Sequence, residues 1–331
     1  MNERLVGVAL AATESSASGF SNRQHRELVA YHRDAMLWAL TVERKLVFLA
    51  DRLAGAGIDF VVLKGVTLAH TVYPDPSWRS FGDLDLLVKA TDWRTVHDHL
   101  GSLGFTRQMP EPRKGFDERF GKAAVLTNGD GIEVDLHRTL AMGAFGQWIG
   151  SDDLFRETAE MQLAGRTILR LNDTAAFLHA CIHAILGWNP PQLWPLRDVL
   201  QLAHHGAVRW DHAAELSKRW RLRGVVHMAL TTASESLGVA LPEPAHRMLE
   251  RERPGRREMA AMRAYLQPGG AGPLATIGAI RGIGARISYV TMLLFPSREF
   301  LAARQGTARG SYPDRWLSSL RRIRRKVREQ P

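Results

Sequence analysis

Two aspartates separated by one residue are the most chemically informative feature of this sequence. Asp83 and Asp85 lie in GDLDLLV, residues 82–88, whose alternating polar and apolar side chains are typical of a β-strand. Because side chains two apart on a strand point to the same face, the two carboxylates would stand together while Leu84 faces a core. Such a pair suits a hard divalent cation, whose other positions are filled by phosphate oxygens and water. The sequence therefore predicts a cation site on this strand.

A further acidic strand is predicted at residues 131–137, GIEVDLH. Apolar residues at positions 132, 134 and 136 alternate with Glu133, Asp135 and His137, so the polar face would line a cleft. Residues 122–127 form another predicted strand, and the turn NGDG at 128–131 joins the two as a hairpin. We therefore predict that Asp135 joins Asp83 and Asp85 from a neighbouring strand.

A lysine–glycine turn precedes the acidic strand and is suited to phosphate. Residues 59–64 read as a strand, Gly65 permits a tight turn, and residues 66–73 read as a helix. Lys64 would thus stand at the head of a helix, beside unpaired backbone amides. Arg79 and Ser80 follow at the edge of the cleft, and Arg79 either binds phosphate oxygens or pairs with Asp83.

Two histidines four residues apart, His179 and His183, occur in a helix predicted from about residue 172 to 186. The spacing resembles that of zinc-binding helices, but Ala180 stands where their glutamate would be. Packing or substrate hydrogen bonding is therefore preferred over zinc, and these residues with His137 are candidates for the acceptor side of the cleft. The single cysteine, Cys181, has apolar neighbours and is predicted to be a core residue rather than a nucleophile.

The motifs resemble those of a known family. The run LKG at 63–65, Arg79 shortly before GDLDLLV, and the later IEVDLH resemble the nucleotidyltransferase superfamily with the polymerase-beta-like core, in particular its bacterial group of uncharacterised nucleotidyltransferases. The likeness continues through FLHACIHAILGW, LWPLRDVLQLAHH and LFPSREFL and covers residues 46–325. Lys64-Gly65 replaces the Gly-Ser pair of many superfamily members, and we expect Lys64 to take over from the missing hydroxyl.

The resemblance implies an α+β fold in three parts. A small mixed-sheet nucleotidyltransferase core with flanking helices would occupy residues 46–145, after an N-terminal helical lead-in at residues 1–45. Residues 146–331, where strand patterns weaken, would form a mostly helical C-terminal domain with a basic tail.

The resemblance also implies a reaction, the transfer of a nucleoside monophosphate from a nucleoside triphosphate to a hydroxyl or phosphate acceptor. Two ions of Mg²⁺ or Mn²⁺ would be held by Asp83, Asp85 and Asp135, with Asp135 assisting deprotonation of the acceptor. Lys64, Gly65, Arg79 and Ser80 would bind the nucleotide. The alternative is a catalytically inactive nucleotide-binding or scaffold protein with the same fold.

Composition and charge bear on the other partners. The 331 residues are 45% hydrophobic and 24% charged, which is typical of a globular protein, and the net charge is +10. Basic residues concentrate at 251–257 and 315–328. Because a basic protein attracts polyanions, an RNA end is favoured as acceptor, while a small molecule or a peptide is also compatible. A solvated basic tail is the alternative explanation of the charge.

The sequence predicts a cytoplasmic protein without a membrane span. No run of roughly 18 uncharged apolar residues occurs, the N-terminus does not have the pattern of a secretory signal, and a single cysteine favours a reducing compartment. In residues 316–327, apolar side chains at helical spacing oppose a basic face. This segment is predicted to contact a membrane surface, nucleic acid or its own domain.

Overall fold

The predicted acidic strands lie at the centre of a mixed β-sheet. The computed structural model describes residues 5–15, 20–267 and 272–306, and residue 312. Within these ranges the strands are β1 (Val61–Val62), β2 (Asp83–Leu87), β3 (Thr106–Arg107), β4 (Ala123–Thr127), β5 (Glu133–His137), β6 (Thr158–Leu163) and β7 (Arg166–Leu171). They form one sheet in the order β3-β4-β5-β2-β1-β7-β6.

The central strand, β2, pairs with one parallel and one antiparallel neighbour. It runs parallel to β5 and antiparallel to β1. A parallel pair needs a crossover connection, which the chain between β2 and β5 provides. The β4 and β5 strands form an antiparallel hairpin, as the NGDG turn predicted. Because β2 and β5 run in the same direction and in register, their polar side chains come to one place on the sheet.

The sheet extends beyond residue 145, where the sequence pattern predicted a mostly helical domain. The β6 and β7 strands form a hairpin, and β7 adds to the sheet beside β1. The two-residue connection, Ala164 and Gly165, has positive φ at both positions, 48° and 76°, which matches the twist of paired strands. Polar residues interrupt the apolar residues of both strands, so the sequence has no apolar run that would have predicted this hairpin. The division of the chain at residues 45 and 145 stays a prediction.

Helices surround the sheet and make up most of the chain after β7, so the predicted α+β class is confirmed. In the part of the chain that the structure describes they are α1 (Val6–Ser15), α2 (Asn22–Gly55), α3 (Val66–Thr71), α4 (Trp93–Ser102), α5 (Phe116–Arg119), α6 (Gly143–Trp148), α7 (Ser151–Arg156), α8 (Asp173–Leu186), α9 (Leu193–His204), α10 (Trp210–Arg219), α11 (Arg223–Leu237), α12 (Glu243–Arg251), α13 (Arg256–Leu266), α14 (Pro273–Ala279), α15 (Ile283–Leu294) and α16 (Arg298–Gln305).

Two of the helices that flank the sheet begin at side-chain caps. Ser21 accepts a hydrogen bond from the backbone of Gln24, whose side chain bonds back, and this capping box begins α2. Asn172 caps α8 by accepting from the backbone of Ala175. The helix predicted from about residue 172 to 186 is therefore confirmed. The helix after Gly65 is shorter than predicted, because α3 ends at Thr71.

The two faces of the sheet pack against different helices. Leu84 and Leu86 of β2 belong to one apolar core together with buried residues of α2. Leu87, on the opposite face, belongs to a second core with α8 and α9. Side chains alternate along a strand, so Asp83 and Asp85 share the face of Leu87 and look toward α8. This alternation confirms the predicted orientation of the acidic strand.

None of the helices in the described ranges is long and apolar enough to cross a membrane. The helix predicted at residues 316–327, with its proposed membrane or nucleic-acid contact, lies outside the described residues. The whole basic cluster at 315–328 likewise lies outside the described residues.

Candidate active site

The pairing of β2 with β5 brings four carboxylates to one face of the sheet. Asp83 lies opposite Glu133 and Asp85 opposite Asp135. Ligand atoms of Asp83, Glu133 and Asp135 lie within 4.8 Å of one another, and the same holds for Asp85, Asp135 and His137. The structure thus unites the three predicted aspartates and adds Glu133. The sequence feature that could have identified Glu133 as a site residue is its position on the polar face of the predicted strand.

Asp85 is the most enclosed of these carboxylates. It is 2% exposed, and both of its oxygens are bonded: Oδ2 accepts from Lys64 Nζ, and Oδ1 lies 2.9 Å from His137 Nε2. Burial by itself would raise the pKa of Asp85, but the charge of Lys64 and the hydrogen bond to His137 outweigh burial and hold that pKa well below its usual value. Asp85 is therefore a carboxylate anion with two protein partners.

His137 is fully buried between two hydrogen-bond acceptors. Its Nε2 faces Asp85 Oδ1, and its Nδ1 lies 3.2 Å from the backbone oxygen of Thr139. A carbonyl oxygen and a carboxylate oxygen thus lie within hydrogen-bond distance of the two ring nitrogens. His137 Nε2 also lies 3.9 Å from Asp135 Oδ2. These contacts hold the ring in place between the two acidic strands' aspartates and the Thr139 backbone.

Two lysines supply positive charge. Lys64 contacts Asp85 and lies 3.5 Å from Asp83 Oδ2, with 11% of its side chain exposed. Burial opposes its charge, but Asp85 and Asp83 outweigh burial and raise the pKa of Lys64. Lys122 is half-buried and directly precedes β4, and burial together with the nearby Lys64 charge lowers the pKa of Lys122. Lys122 was missed from the sequence, because nothing local marks it as part of this site.

Asp135 and Glu133 are less fully compensated than Asp85. Burial raises the pKa of Asp135, and its Oδ1 is buried without a hydrogen-bond partner among the described residues. Burial and the neighbouring charge of Asp135 also raise the pKa of Glu133, which accepts a hydrogen bond from Gln108 at 3.2 Å. An orphaned carboxylate oxygen beside a second carboxylate is what a missing cation would leave behind.

Arg79 makes three hydrogen bonds within the protein. Its Nε and Nη2 each donate to Asp198 on α9 at 2.8 Å, and its Nη1 donates to the backbone oxygen of Gly65 at 3.0 Å. The expected partner Asp83 is thus replaced by Asp198. Arg197, the neighbour of Asp198 in the sequence, lies over the ring of Tyr73.

Gly65 and Ser80 are the other two residues that the sequence predicted to bind the nucleotide. Gly65 has φ of 67° and ψ of −113°, a conformation that favours glycine, and it joins Lys64 to α3. Ser80 is half-buried in a groove of about 480 Å³ that Tyr31 and Trp38 of α2 also line. Trp38 Nε1 donates to the oxygen of Gly82 at 3.2 Å and ties this groove to the start of β2.

The two histidines of α8 face the carboxylates from the other side of the cleft. Their ring centroids are 6.4 Å apart, and a small cavity is lined by both, by Lys64 and by Asp198. Burial is the main reason that the pKa values of His179 and His183 are well below the usual range, so both rings are neutral. Neither belongs to a metal-ligand group found in the described ranges.

Comparison with known proteins gives one family match. A family model described as uncharacterised nucleotidyltransferase matches residues 2–238. Among solved structures, an antigenic nucleotidyltransferase-like protein from Paracoccidioides brasiliensis is similar at 12% identity, with 65% of this chain and 94% of that chain covered and a TM-score of 0.36. No curated protein matches the chain significantly.

Proposed function

The chain belongs to the family of uncharacterised nucleotidyltransferases, and from this premise we propose that it transfers a nucleoside monophosphate from a nucleoside triphosphate to an acceptor. The acceptor group is a hydroxyl or a phosphate, carried by a small molecule, an RNA end or a peptide. The observation that carries the proposal is the parallel register of β2 and β5, which puts Asp83, Asp85, Glu133 and Asp135 on one face.

The residues on this face fit a hard divalent ion. Asp83, Glu133 and Asp135 offer oxygen ligands only, which Mg²⁺ and Mn²⁺ prefer. The buried Oδ1 of Asp135 lacks a partner among the described residues, so a cation there would satisfy it. When bound, such an ion would neutralise the triphosphate and activate the attacking oxygen.

The proposed reaction is an in-line displacement. The acceptor oxygen forms a bond to the α-phosphorus, the bond from that phosphorus to the oxygen bridging the β-phosphate breaks, and pyrophosphate leaves with the bonding electrons. The proton of a hydroxyl acceptor passes to Asp135. Burial raises the pKa of Asp135, which makes its carboxylate a stronger base than an exposed aspartate.

The lysines and histidines of the cleft would position the substrates. An ammonium has three donors. Lys64 donates to Asp85 and lies 3.5 Å from Asp83 Oδ2, and it would also donate to a phosphate oxygen. Lys122 adds a second charge that offsets the phosphates. The neutral rings of His179 and His183 each offer one donor and one acceptor to the acceptor molecule. Arg79, paired with Asp198, would hold the Lys64-Gly65 turn in place rather than touch the nucleotide.

The test begins with nucleotide binding. Each of the four ribonucleoside triphosphates is titrated into the full chain by calorimetry, with and without Mg²⁺. We expect Mg²⁺-dependent binding of at least one nucleotide, and we expect Asp83→Asn to lower the affinity at least tenfold with little change in the thermal unfolding midpoint. Asp59→Asn is the matched control, because the Asp59 side chain is 67% exposed and pairs only at 3.7 Å with Lys89.

Transfer is then measured with a triphosphate labelled on the α-phosphate and candidate acceptors from the three classes. Label on an acceptor, lost in Asp83→Asn and kept in Asp59→Asn, supports the proposed reaction. Mg²⁺-dependent binding with no transfer to any class would favour the inactive nucleotide-binding alternative. Failure of every nucleotide to bind the wild type would contradict the proposal.

A further inference from the structure

We propose that one side of α2 binds a single-stranded RNA end and guides it to the carboxylates of β2 and β5. This inference rests on the proposed function, because it selects the RNA end among the three acceptor classes. Two observations carry it. Aromatic and basic side chains recur along α2, and two of them contact the segments that lead into the acidic strands.

The recurring side chains are Tyr31, Trp38, Lys45 and Arg52, at intervals of seven residues along α2. Seven residues are close to two helical turns, so these side chains lie on one side of the helix. Phe48 belongs to the same side, because Lys45 Nζ lies 5.3 Å and the guanidinium carbon of Arg52 5.2 Å from the centroid of its ring. These five residues are called the α2 stripe below. The stripe is about 30 Å long at ~1.5 Å per residue.

The three rings of the α2 stripe are accessible to a ligand. Tyr31 is 51% exposed, and Trp38 and Phe48 are each 37% exposed. The rings border two grooves of similar size, one of about 480 Å³ beside Tyr31 and Trp38 and one of about 470 Å³ beside Lys45 and Phe48. A base in either groove would lie beside an aromatic ring.

The α2 stripe passes the beginning of both acidic strands. Trp38 Nε1 donates to the oxygen of Gly82 at 3.2 Å, in the residue that precedes β2. Lys45 Nζ donates to Asp130 at 2.9 Å, in the turn that precedes β5. The first residue of each strand is a partly exposed carboxylate of the candidate active site. The α2 stripe therefore borders the end of the site at which these carboxylates meet solvent.

The charge along this side of α2 is positive. Lys45 and Arg52 belong to the α2 stripe, and Arg44 lines the second groove. The carboxylates beside the grooves have basic partners, since Asp130 pairs with Lys45 and Asp34 lies 3.2 Å from the guanidinium of the residue before it. The surplus of cations would attract the phosphates of a nucleic acid strand.

The chemistry of the α2 stripe fits single-stranded RNA better than the other two acceptor classes. Bases of any sequence stack on aromatic rings, and cations between the rings pair with the backbone phosphates. A small molecule would occupy one groove and would not use an elongated surface. A peptide has neither the planar bases nor the repeated phosphate charge that alternating rings and cations recognise.

The test is the binding of a fluorescently labelled single-stranded RNA of about 12 nucleotides to the full chain, measured by anisotropy without any nucleoside triphosphate. Tyr31→Leu and Phe48→Leu should each lower the affinity about fivefold or more, because each removes a stacking ring and keeps an apolar side chain. Leu40→Ala is the matched control and should bind like the wild type, since Leu40 is 61% exposed on another side of α2. Unchanged thermal unfolding midpoints would show that the variants fold.

The salt dependence of binding tests the cations. The logarithm of the affinity should fall linearly with the logarithm of the salt concentration, and Arg52→Gln should make the slope shallower by about 0.7, the value for one phosphate contact on a single strand. Arg247→Gln is the control for charge, because Arg247 has a side chain 52% exposed on α12. This variant should leave the slope unchanged.

Four results would overturn the inference. They are no RNA binding by the wild type, equal binding by the wild type and the double variant Tyr31→Leu with Phe48→Leu, a loss of affinity in Arg52→Gln alone, and tighter binding of single-stranded DNA of the same sequence. Because no triphosphate is present, RNA binding that depends on the α2 stripe together with absent transfer would refute the proposed function and leave this surface standing. Transfer to a small molecule or peptide without RNA binding would support the proposed function and overturn this inference.

Discussion

The buried ion pair between Arg79 and Asp198 shows how the helical region holds the phosphate turn. Arg79 donates twice to Asp198 at 2.8 Å, and the hydroxyl of Tyr73 donates to the same carboxylate at 2.7 Å. The two charged residues are only 5% and 3% exposed. Arg79 also donates to the Gly65 oxygen, so the pair joins α9 to the turn that carries Lys64.

We expect Arg79→Met to lower the free energy of unfolding by about 3–5 kcal/mol, because removal of one partner leaves a buried charge uncompensated. Methionine retains an apolar stem, so little of the loss would come from packing. In the double variant Arg79→Met with Asp198→Leu both charges are absent, and part of the loss should be recovered. Recovery stays incomplete because the Tyr73 hydroxyl loses its acceptor, at a cost of about 1–3 kcal/mol.

The assay is urea unfolding followed by tryptophan fluorescence at neutral pH. Arg166→Met is the control, because Arg166 and its partner Asp51 have side chains 52% and 50% exposed, and exposed pairs contribute about 1 kcal/mol or less. If Arg79→Met costs no more than Arg166→Met, the reasoning is refuted, and Arg79 becomes available again as a phosphate ligand.

Two further predictions follow from buried groups. The pKa of Asp85 is depressed in the folded protein. The contribution of this carboxylate to stability is therefore complete above the unfolded-state pKa of 3.8 and is lost as pH falls through the lower folded-state pKa. Thermal unfolding midpoints measured from pH 5 down to about pH 2 should fall less steeply for Asp85→Asn than for the wild type, and parallel curves would contradict this. Burial raises the pKa of the Cys181 thiol, so a disulfide reagent should modify less than about one tenth of the native chains in an hour. In guanidinium the same reagent should modify one thiol per chain. Rapid modification of the native protein would contradict the core position of Cys181.

The local pattern of the sequence determined much of the site. Alternation in residues 82–88 and 131–137 fixes which side chains share a face, because a strand has a period of two whatever its neighbours are. The same reasoning located the β4–β5 hairpin through its turn residues and the start of α8 through the cap at Asn172. The predicted meeting of Asp135 with Asp83 and Asp85 followed from these local patterns together with the family resemblance.

Local sequence patterns did not predict the β6–β7 hairpin or the partner of Arg79. The hairpin mixes polar and apolar residues at an edge of the sheet, so its burial depends on what packs beside it. Arg79 could pair with any of several carboxylates, and its choice of Asp198 joins positions 119 residues apart. Such choices depend on which chain segments approach each other, and one sequence without the fold does not specify that.

The sequence by itself determined that this protein has two acidic strands, a lysine–glycine turn and a helical second half, because these features depend on residue type and short-range periodicity. The tertiary structure alone decided how they combine. Strand register placed Glu133 opposite Asp83. The packing around Asp85 made Lys64 and His137 its hydrogen-bond partners. The physical reason is that charge compensation acts over a few ångströms in space, and parallel strands bring together residues that are far apart in the chain.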